Sequence, residues 1–231
     1  AARQGRPGRH ARRRSAWTRF AQHERRWPGF HRRLLPRRRS PRSRFPQLEA
    51  QPSVSIGEKW QMDTKYVPRE CKSTKTPGDK KFYQYTIIDE ADRKRFMQWY
   101  DDISTNNTVD FVIRAIDYFG YLPKIIQTDN GFEYTSTSRK TRKKEHPLDT
   151  LCQKLGIIHQ LIRPRTPRHN GKVERSHRND NQRFYQYLKF YDLNDLRIQG
   201  SRYLKRSNDT PMSVLYYKTP NEVEAEQLTT L

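Results

Sequence analysis

The sequence predicts an α/β domain built on a mixed five-stranded sheet flanked by helices, with a disordered basic segment ahead of it. Three strand patterns between Lys59 and Ile103 follow one another across short connections, as in an antiparallel meander. Beyond them strand and helix patterns alternate, which implies parallel pairing with helical crossovers. Composition also changes sharply near residue 57, from arginine-dominated to mixed.

Residues 1–50 hold 16 Arg, no Lys and two acids, Glu24 and Glu49, for a net +14; residues 51–231 hold 15 Arg, 16 Lys and 23 acids, for a net +8. Runs such as Arg12-Arg13-Arg14 and Arg37-Arg38-Arg39, interrupted by Pro28, Pro36 and Pro41, offer too little apolar surface to offset the entropy of ordering. The expected organisation is a disordered segment and linker over 1–57 and one folded unit over 58–231. Trp17, Phe20, Trp27 and Phe30 lie among the arginines, where they can stack on nucleic acid bases.

Lys59–Pro68 is the first expected strand, rich in aromatic and β-branched residues. A polar loop, Arg69–Lys81, turns at Pro77-Gly78. Phe82–Asp89 and Arg95–Ile103 are the next two strands, joined by Glu90-Ala91-Asp92-Arg93. Asn107–Tyr118 is a helix, with Val109, Val112, Ile113, Ile116 and Phe119 at helical intervals, Asp101 and Asp102 as its caps and Gly120 as its stop. Lys124–Thr128 is the fourth strand. After a polar loop, Leu148–Leu155 is a short helix ended by Gly156, and Ile157–Arg163 is the fifth strand. A helix from Asn170 to about Lys189 turns Val173, His177, Phe184, Leu188 and Tyr191 inward. Leu193–Lys205 is the last long helix, followed by a helical tail that lies on the domain at 215–223.

The net charge of +22 and pI near 10.3 call for a polyanionic partner. No apolar run approaches bilayer length, and the basic N-terminus lacks the apolar stretch of a secretory signal. Nucleic acid as partner and a cytoplasmic location are therefore the expectation. Cys71 and Cys152 belong to no Cys-x-x-Cys pair and none of the 7 histidines has zinc-finger spacing, so two free thiols are expected rather than a zinc site.

Three acids stand in suggestive contexts. Asp63 lies inside the strand Trp60-Gln61-Met62-Asp63-Thr64-Lys65-Tyr66-Val67, and Asp129 ends the apolar run Lys124-Ile125-Ile126-Gln127-Thr128-Asp129. Asn130-Gly131 is a common hairpin turn, yet no second strand pattern follows it. Glu174 sits among cations just after the turn Thr166-Pro167-Arg168-His169-Asn170, with Asn170 as an N-cap. On that helix Glu174 shares a face with His177 and Arg178. A solvated face with weak ion pairs accounts for the last stretch taken alone.

Together, Trp60-Gln61-Met62-Asp63, Thr128-Asp129-Asn130-Gly131 and His169-Asn170-Gly171-Lys172-Val173-Glu174-Arg175 resemble the integrase core of insertion-sequence transposases, in the Asp-Asp-Glu superfamily that includes retroviral integrases. The resemblance runs from about Glu58 to about Glu222. The Asp129–Glu174 interval is longer than the family's commonest spacing. The resemblance implies a ribonuclease H-like fold and a transposase that cuts and joins DNA strands, with 58–231 as its catalytic core and tail. It makes Asp63, Asp129 and Glu174 both catalytic residues and ligands of Mg²⁺ or Mn²⁺, as two ions. Such a pair, about 4 Å apart, neutralises the attacking and leaving oxygens of a phosphodiester. Water would first release a 3′-hydroxyl at the element's end, and that hydroxyl would attack target DNA. Lys172, Arg175 and Arg178 would hold phosphates, with His169 and Asn170 shaping the loop beside the metals and His177 either touching DNA or sitting in the core. Arg139, Lys140, Arg142, Lys143 and Lys144 are further candidates to track a backbone. Implied partners are element and target DNA, further copies of the chain, and an upstream helix-turn-helix segment. The competing expectation is a non-catalytic basic DNA-binding remnant of a decayed element.

Overall fold

The computed structural model describes residues 55–73, 80–135, 145–163 and 170–229, all within the compact unit Leu48–Leu231. The arginine-rich segment, the Pro77-Gly78 turn, the cations at 139–144 and the stretch Thr166–His169 lie outside the described residues.

Five strands form one sheet: β1 (Lys59–Tyr66), β2 (Tyr83–Asp89), β3 (Arg95–Tyr100), β4 (Ile125–Thr128) and β5 (Ile158–Leu161), in the order β3-β2-β1-β4-β5. β1–β2 and β2–β3 are antiparallel, while β1–β4 and β4–β5 are parallel. The expected mixed sheet is thus present, with β1 at its centre. Its register sets Trp60 against Ile126 and Gln61 against Gln127, which brings the ends of β1 and β4 bearing Asp63 and Asp129 side by side.

Side chains alternate along β1 because successive Cβ atoms leave opposite faces of a strand. Trp60 and Met62 enter one core layer with Tyr85, Ile87, Ile126 and residues of α1 (Thr105–Phe119) and α2 (Pro147–Leu155). Gln61, Asp63 and Lys65 face the other way, toward α3 (Gly171–Asp180). A second core layer gathers Met97, Trp99, Phe184, Tyr185, Phe190, Leu196 and Tyr203 under α4 (Leu193–Asn208). Gly200 on α4 is required there, since any Cβ would run into the Trp99 ring.

Several expected boundaries shift. Ser104, rather than Asp101 or Asp102, caps α1, its hydroxyl accepting the Asn107 N–H, and Ile113 faces solvent. The tail is a helix, α5 (Pro220–Thr229), starting later than expected. The helix expected to run from Asn170 to Lys189 stops being regular at Asp180: Asn181–Tyr185 forms a π turn. The cause is a double tether to Gln84, which donates to Asp180 Oδ2 and accepts from the Tyr185 hydroxyl. Five residues on a regular helix point roughly 140° apart, so a widened turn is needed for both to reach one side chain. Tyr191, expected in the core, is 57% exposed because the helical register is lost before it.

Asp180 is also the centre of a buried polar network. It pairs with Arg95 at 2.7 Å and accepts from Tyr203. Arg95 further donates to Ser207 and Tyr203, so β3, α3 and α4 are tied through two fully desolvated charges. A pair of this kind costs desolvation to form and several kcal/mol to break by removing one partner.

Candidate active site

Asp63 and Asp129 are held side by side by strand pairing. One Asp63 oxygen accepts the Thr64 N–H at 2.9 Å, and the other meets His177 Nδ1 at 3.3 Å. His177 Nε2 lies 3.1 Å from the Thr86 hydroxyl. That histidine is therefore a buried, doubly partnered residue of α3 which touches a candidate catalytic acid. Asp129 Oδ1 accepts the Gly131 N–H at 2.9 Å, so the Asn130-Gly131 turn fixes the carboxylate and starts no hairpin. Burial raises the Asp129 carboxyl above the ordinary range and the charge of Asp63 adds to this, while the Gly131 N–H pulls the other way.

A third acid, unforeseen from the sequence, joins them. Glu133 is 8% exposed and its carboxylate lies over Gly131, where a Cβ would collide with it. Burial raises Glu133, and the charges of Asp129 and Asp63 raise it further. The one sequence signal was its position four residues after Asp129 within the same turn.

Behind Asp129 stands a second set of contacts. The Thr128 hydroxyl donates to the Asp129 carbonyl at 3.0 Å and lies 2.9 Å from His159 Nε2. His159 Nδ1 in turn meets Asp149 Oδ1 at 2.5 Å. Strand β5 and helix α2 thereby brace the end of β4.

Helix α3 begins beside β1, and its start is clasped from outside the helix. The Asn170 side chain makes no capping bond; its Nδ2 donates to the Met62 carbonyl at 3.2 Å instead, and its Oδ1 is buried without a hydrogen-bond partner. Gln61 takes over the cap, its Oε1 accepting the Lys172 N–H at 3.0 Å and the Val173 N–H at 3.3 Å. Gln61 Nε2 donates to Glu90 Oε1 at 2.6 Å, and Lys172 Nζ reaches Glu90 Oε2 at 2.6 Å. Lys172, expected to be free for phosphate, is thus half-buried against a carboxylate. Burial pushes the Glu90 carboxyl up, but the bonds from Lys172 and Gln61 and the nearby cations outweigh it, leaving Glu90 below its usual range.

Glu174 follows on this helix and is exposed, as are Arg175 and Arg178. Among the described residues no three His, Cys, Asp or Glu side chains stand close enough to hold a metal ion. Asp63 and Asp129 are together, and Glu174 is not brought to them. His169 lies outside the described residues. No helix among the described residues is long and apolar enough to cross a membrane, and both Cys71 and Cys152 are free thiols.

Comparison with known proteins places this geometry. Residues 55–167 match the integrase core domain family. The protein of Spiroplasma virus SpV1-C74 named "Putative integrase ORF3" is 39% identical over 127 residues, which is 52% of this chain; the chain spans 34% of that relative's length. A chain in the simian T-cell lymphotropic virus intasome complexed with PP2A regulatory subunit B56 gamma shares the fold at a TM-score of 0.58 and 19% identity, over 80% of this chain and 60% of that one. The HTLV-2 integrase catalytic core domain, solved with magnesium in a dimeric form, matches at 0.53 and 18%, over 74% and 99%. The catalytic core domain of BIV integrase matches at 0.54 and 20%, over 75% and 97%. The fold is that of retroviral integrase cores, and residues 55–167 are similar to the integrase core domain family.

Proposed function

We propose that the chain is a transposase or integrase of the Asp-Asp-Glu type, which cuts DNA strands and transfers them during movement of an insertion sequence. The observation that supports this best is the placement of Asp63 on β1 beside Asp129 at the end of the parallel strand β4, close enough for the charge of Asp63 to reach Asp129. Open α/β sheets put their ligands at the carboxyl ends of strands, which is where Asp129 stands.

The donor chemistry of Asp63 and Asp129 suits a divalent cation, and a third ligand would have to be brought to them. Partly desolvated carboxylate oxygens are the hard donors that Mg²⁺ and Mn²⁺ prefer, and a cation offsets the burial, and the lesser repulsion, that raise Asp129 and Glu133. Asp63 and Asp129 would hold it, with Glu174 completing the set from α3. When bound, the metal supplies charge neutralisation at the phosphodiester and an activated oxygen nucleophile. The chain's own residues do the rest. His177 and the Thr64 N–H fix the two Asp63 oxygens, the Gly131 N–H fixes Asp129, and exposed Arg175 and Arg178 bind phosphates beside the reacting bond. Two ions, assembly of several copies on DNA and a cytoplasmic location belong to the same proposal. No observation supports a separate helix-turn-helix partner.

The separation of Glu174 from the two aspartates is also what a non-catalytic DNA-binding remnant would display. Cleavage of a labelled duplex from the encoding element's ends, in Mn²⁺, beside a binding titration, decides between them. Wild type should cut and join. Glu174→Gln should lose turnover while keeping equal or slightly tighter DNA affinity, because a ligand of the metal acts on the transition state and its charge repels DNA. Turnover near the wild-type rate in Glu174→Gln refutes the triad; binding without turnover in wild type favours the remnant.

A further inference from the structure

Asp129 stands one residue beyond the last ladder pair of β4 and β5, Thr128 with Leu161, so strand pairing alone does not fix it. Thr128 holds it from inside the ladder. That residue is fully buried, and its hydroxyl donates to the Asp129 carbonyl at 3.0 Å. A hydroxyl carries a single hydrogen, so the 2.9 Å contact between Thr128 and His159 Nε2 is completed by a proton on the ring. The other ring nitrogen meets Asp149 of α2 at 2.5 Å.

His159 occupies a place where an apolar side chain would pack. Ile157, two residues earlier and on the same side of the extended chain, is buried, and the His159 side chain is itself only 5% exposed. A polar ring at an inward strand position costs free energy unless its nitrogens find partners. Both do, and the chain of contacts runs one way, from α2 through β5 and β4 to Asp129. The effect falls on the carboxylate. Fixing the Asp129 carbonyl fixes the peptide plane that leads into Asn130. This in turn sets the Gly131 N–H, which binds Asp129 Oδ1 at 2.9 Å. Asn130 holds the same turn from its far side by donating to the Ile162 carbonyl at 3.0 Å.

We propose that His159 is a positioning residue for Asp129. Anchored by Asp149, it sets the Thr128 hydroxyl, and that hydroxyl sets the turn that aims the Asp129 carboxylate. That Asp129 ligates a metal rests on the function proposed above; that it is aimed from behind rests on these bonds alone.

Two variants of the full chain separate this role from the filling of space. Gln at position 159 can still set an N–H toward Thr128, whereas Asn is too short to reach it. Amide hydrogen exchange of the metal-free protein, followed by NMR, reads the Gly131 N–H against amides of β1 and β2. His159→Asn should speed Gly131 exchange about fivefold, the weight of one ordinary hydrogen bond, and His159→Gln should restore it toward wild type. Titration with Mn²⁺ alone should show affinity about 10-fold weaker or more in His159→Asn, and less affected in His159→Gln, as for groups that orient a ligating carboxylate. Gly131 exchange unchanged in His159→Asn overturns the proposal, and so does equal acceleration in the Asn and Gln variants. Should His159→Asn not fold, Asp149→Ala decides, because that side chain is 45% exposed and can be removed without opening the core: wild-type exchange at Gly131 there refutes the relay. A wild-type chain that binds no Mn²⁺ would sink the metal assignment, while Gly131 exchange would still judge the positioning.

Discussion

Replacing Gln61 with leucine isolates the clasp that fixes the start of α3. Gln61 is 3% exposed, so water cannot take its place. The change strips the acceptor from the Lys172 and Val173 N–H groups and the donor from Glu90. Two neutral bonds at about 1 kcal/mol each, plus one bond to a carboxylate at about 1.5–3 kcal/mol, set the gross loss. The apolar replacement recovers about 1 kcal/mol of it. The expected net destabilisation is about 2.5–4 kcal/mol, read by urea denaturation through tryptophan fluorescence. Glu90 carries the pH signature. Its carboxyl is held below 4.5 in the fold, so its share of the stability is present above that pH and is lost as pH falls through the folded value. Wild type and Gln61→Leu should therefore converge in acid. Displacement of α3 should also cut turnover by about 10²-fold, the usual penalty of an ångström-scale misplacement, with duplex affinity nearly unchanged. An unaltered denaturation midpoint together with unaltered turnover would refute the clasp.

Two further outcomes follow from buried groups. Burial, followed by the charge of Asp89, lifts Asp92 to about 8. A carboxyl raised this way makes the fold lose stability as pH climbs from about 4 toward 8. Asp92→Asn should thus flatten the rise-and-fall of the melting temperature across pH 5–9 and stabilise the protein at the alkaline end; an identical pH profile would show that Asp92 is ionised throughout. Gly200→Ala should destabilise by about 1–3 kcal/mol in thermal unfolding, because overpacking against Trp99 outweighs the gain in helix propensity, and a neutral or stabilising result would place the Trp99 ring elsewhere.

The mixed sheet, three antiparallel strands followed by two parallel ones, and most element boundaries were legible because periodicity and turn residues are local signals. Gly120 and Gly156 stop their helices through bonds made within a few residues. Asp63 and Asp129 were legible for a related reason, since each sits at a fixed place in a strong strand pattern. What could not be read depends on partners distant in sequence. Nothing near Lys172 announces that Glu90 will bind it, and nothing near Tyr185 announces the tether to Gln84 that widens the helix. Asn170 looks like a self-sufficient cap, yet Gln61 performs that role from a strand. Glu133 was passed over because its burial comes from the tertiary fold around Gly131.

The parallel contact between β1 and β4 also has a kinetic meaning. Residues 59–100 can pair through short loops, but contacts such as Thr64 with Tyr134 close a separation of 70 residues. Contacts of such high sequence separation form late, since loop closure must be met before they contribute. Asp63 therefore waits for β4 before Asp129 arrives beside it. A nascent or truncated chain that has built only the meander holds one of the two acids, and a phosphodiester meets the pair only once the long-range half of the sheet has closed.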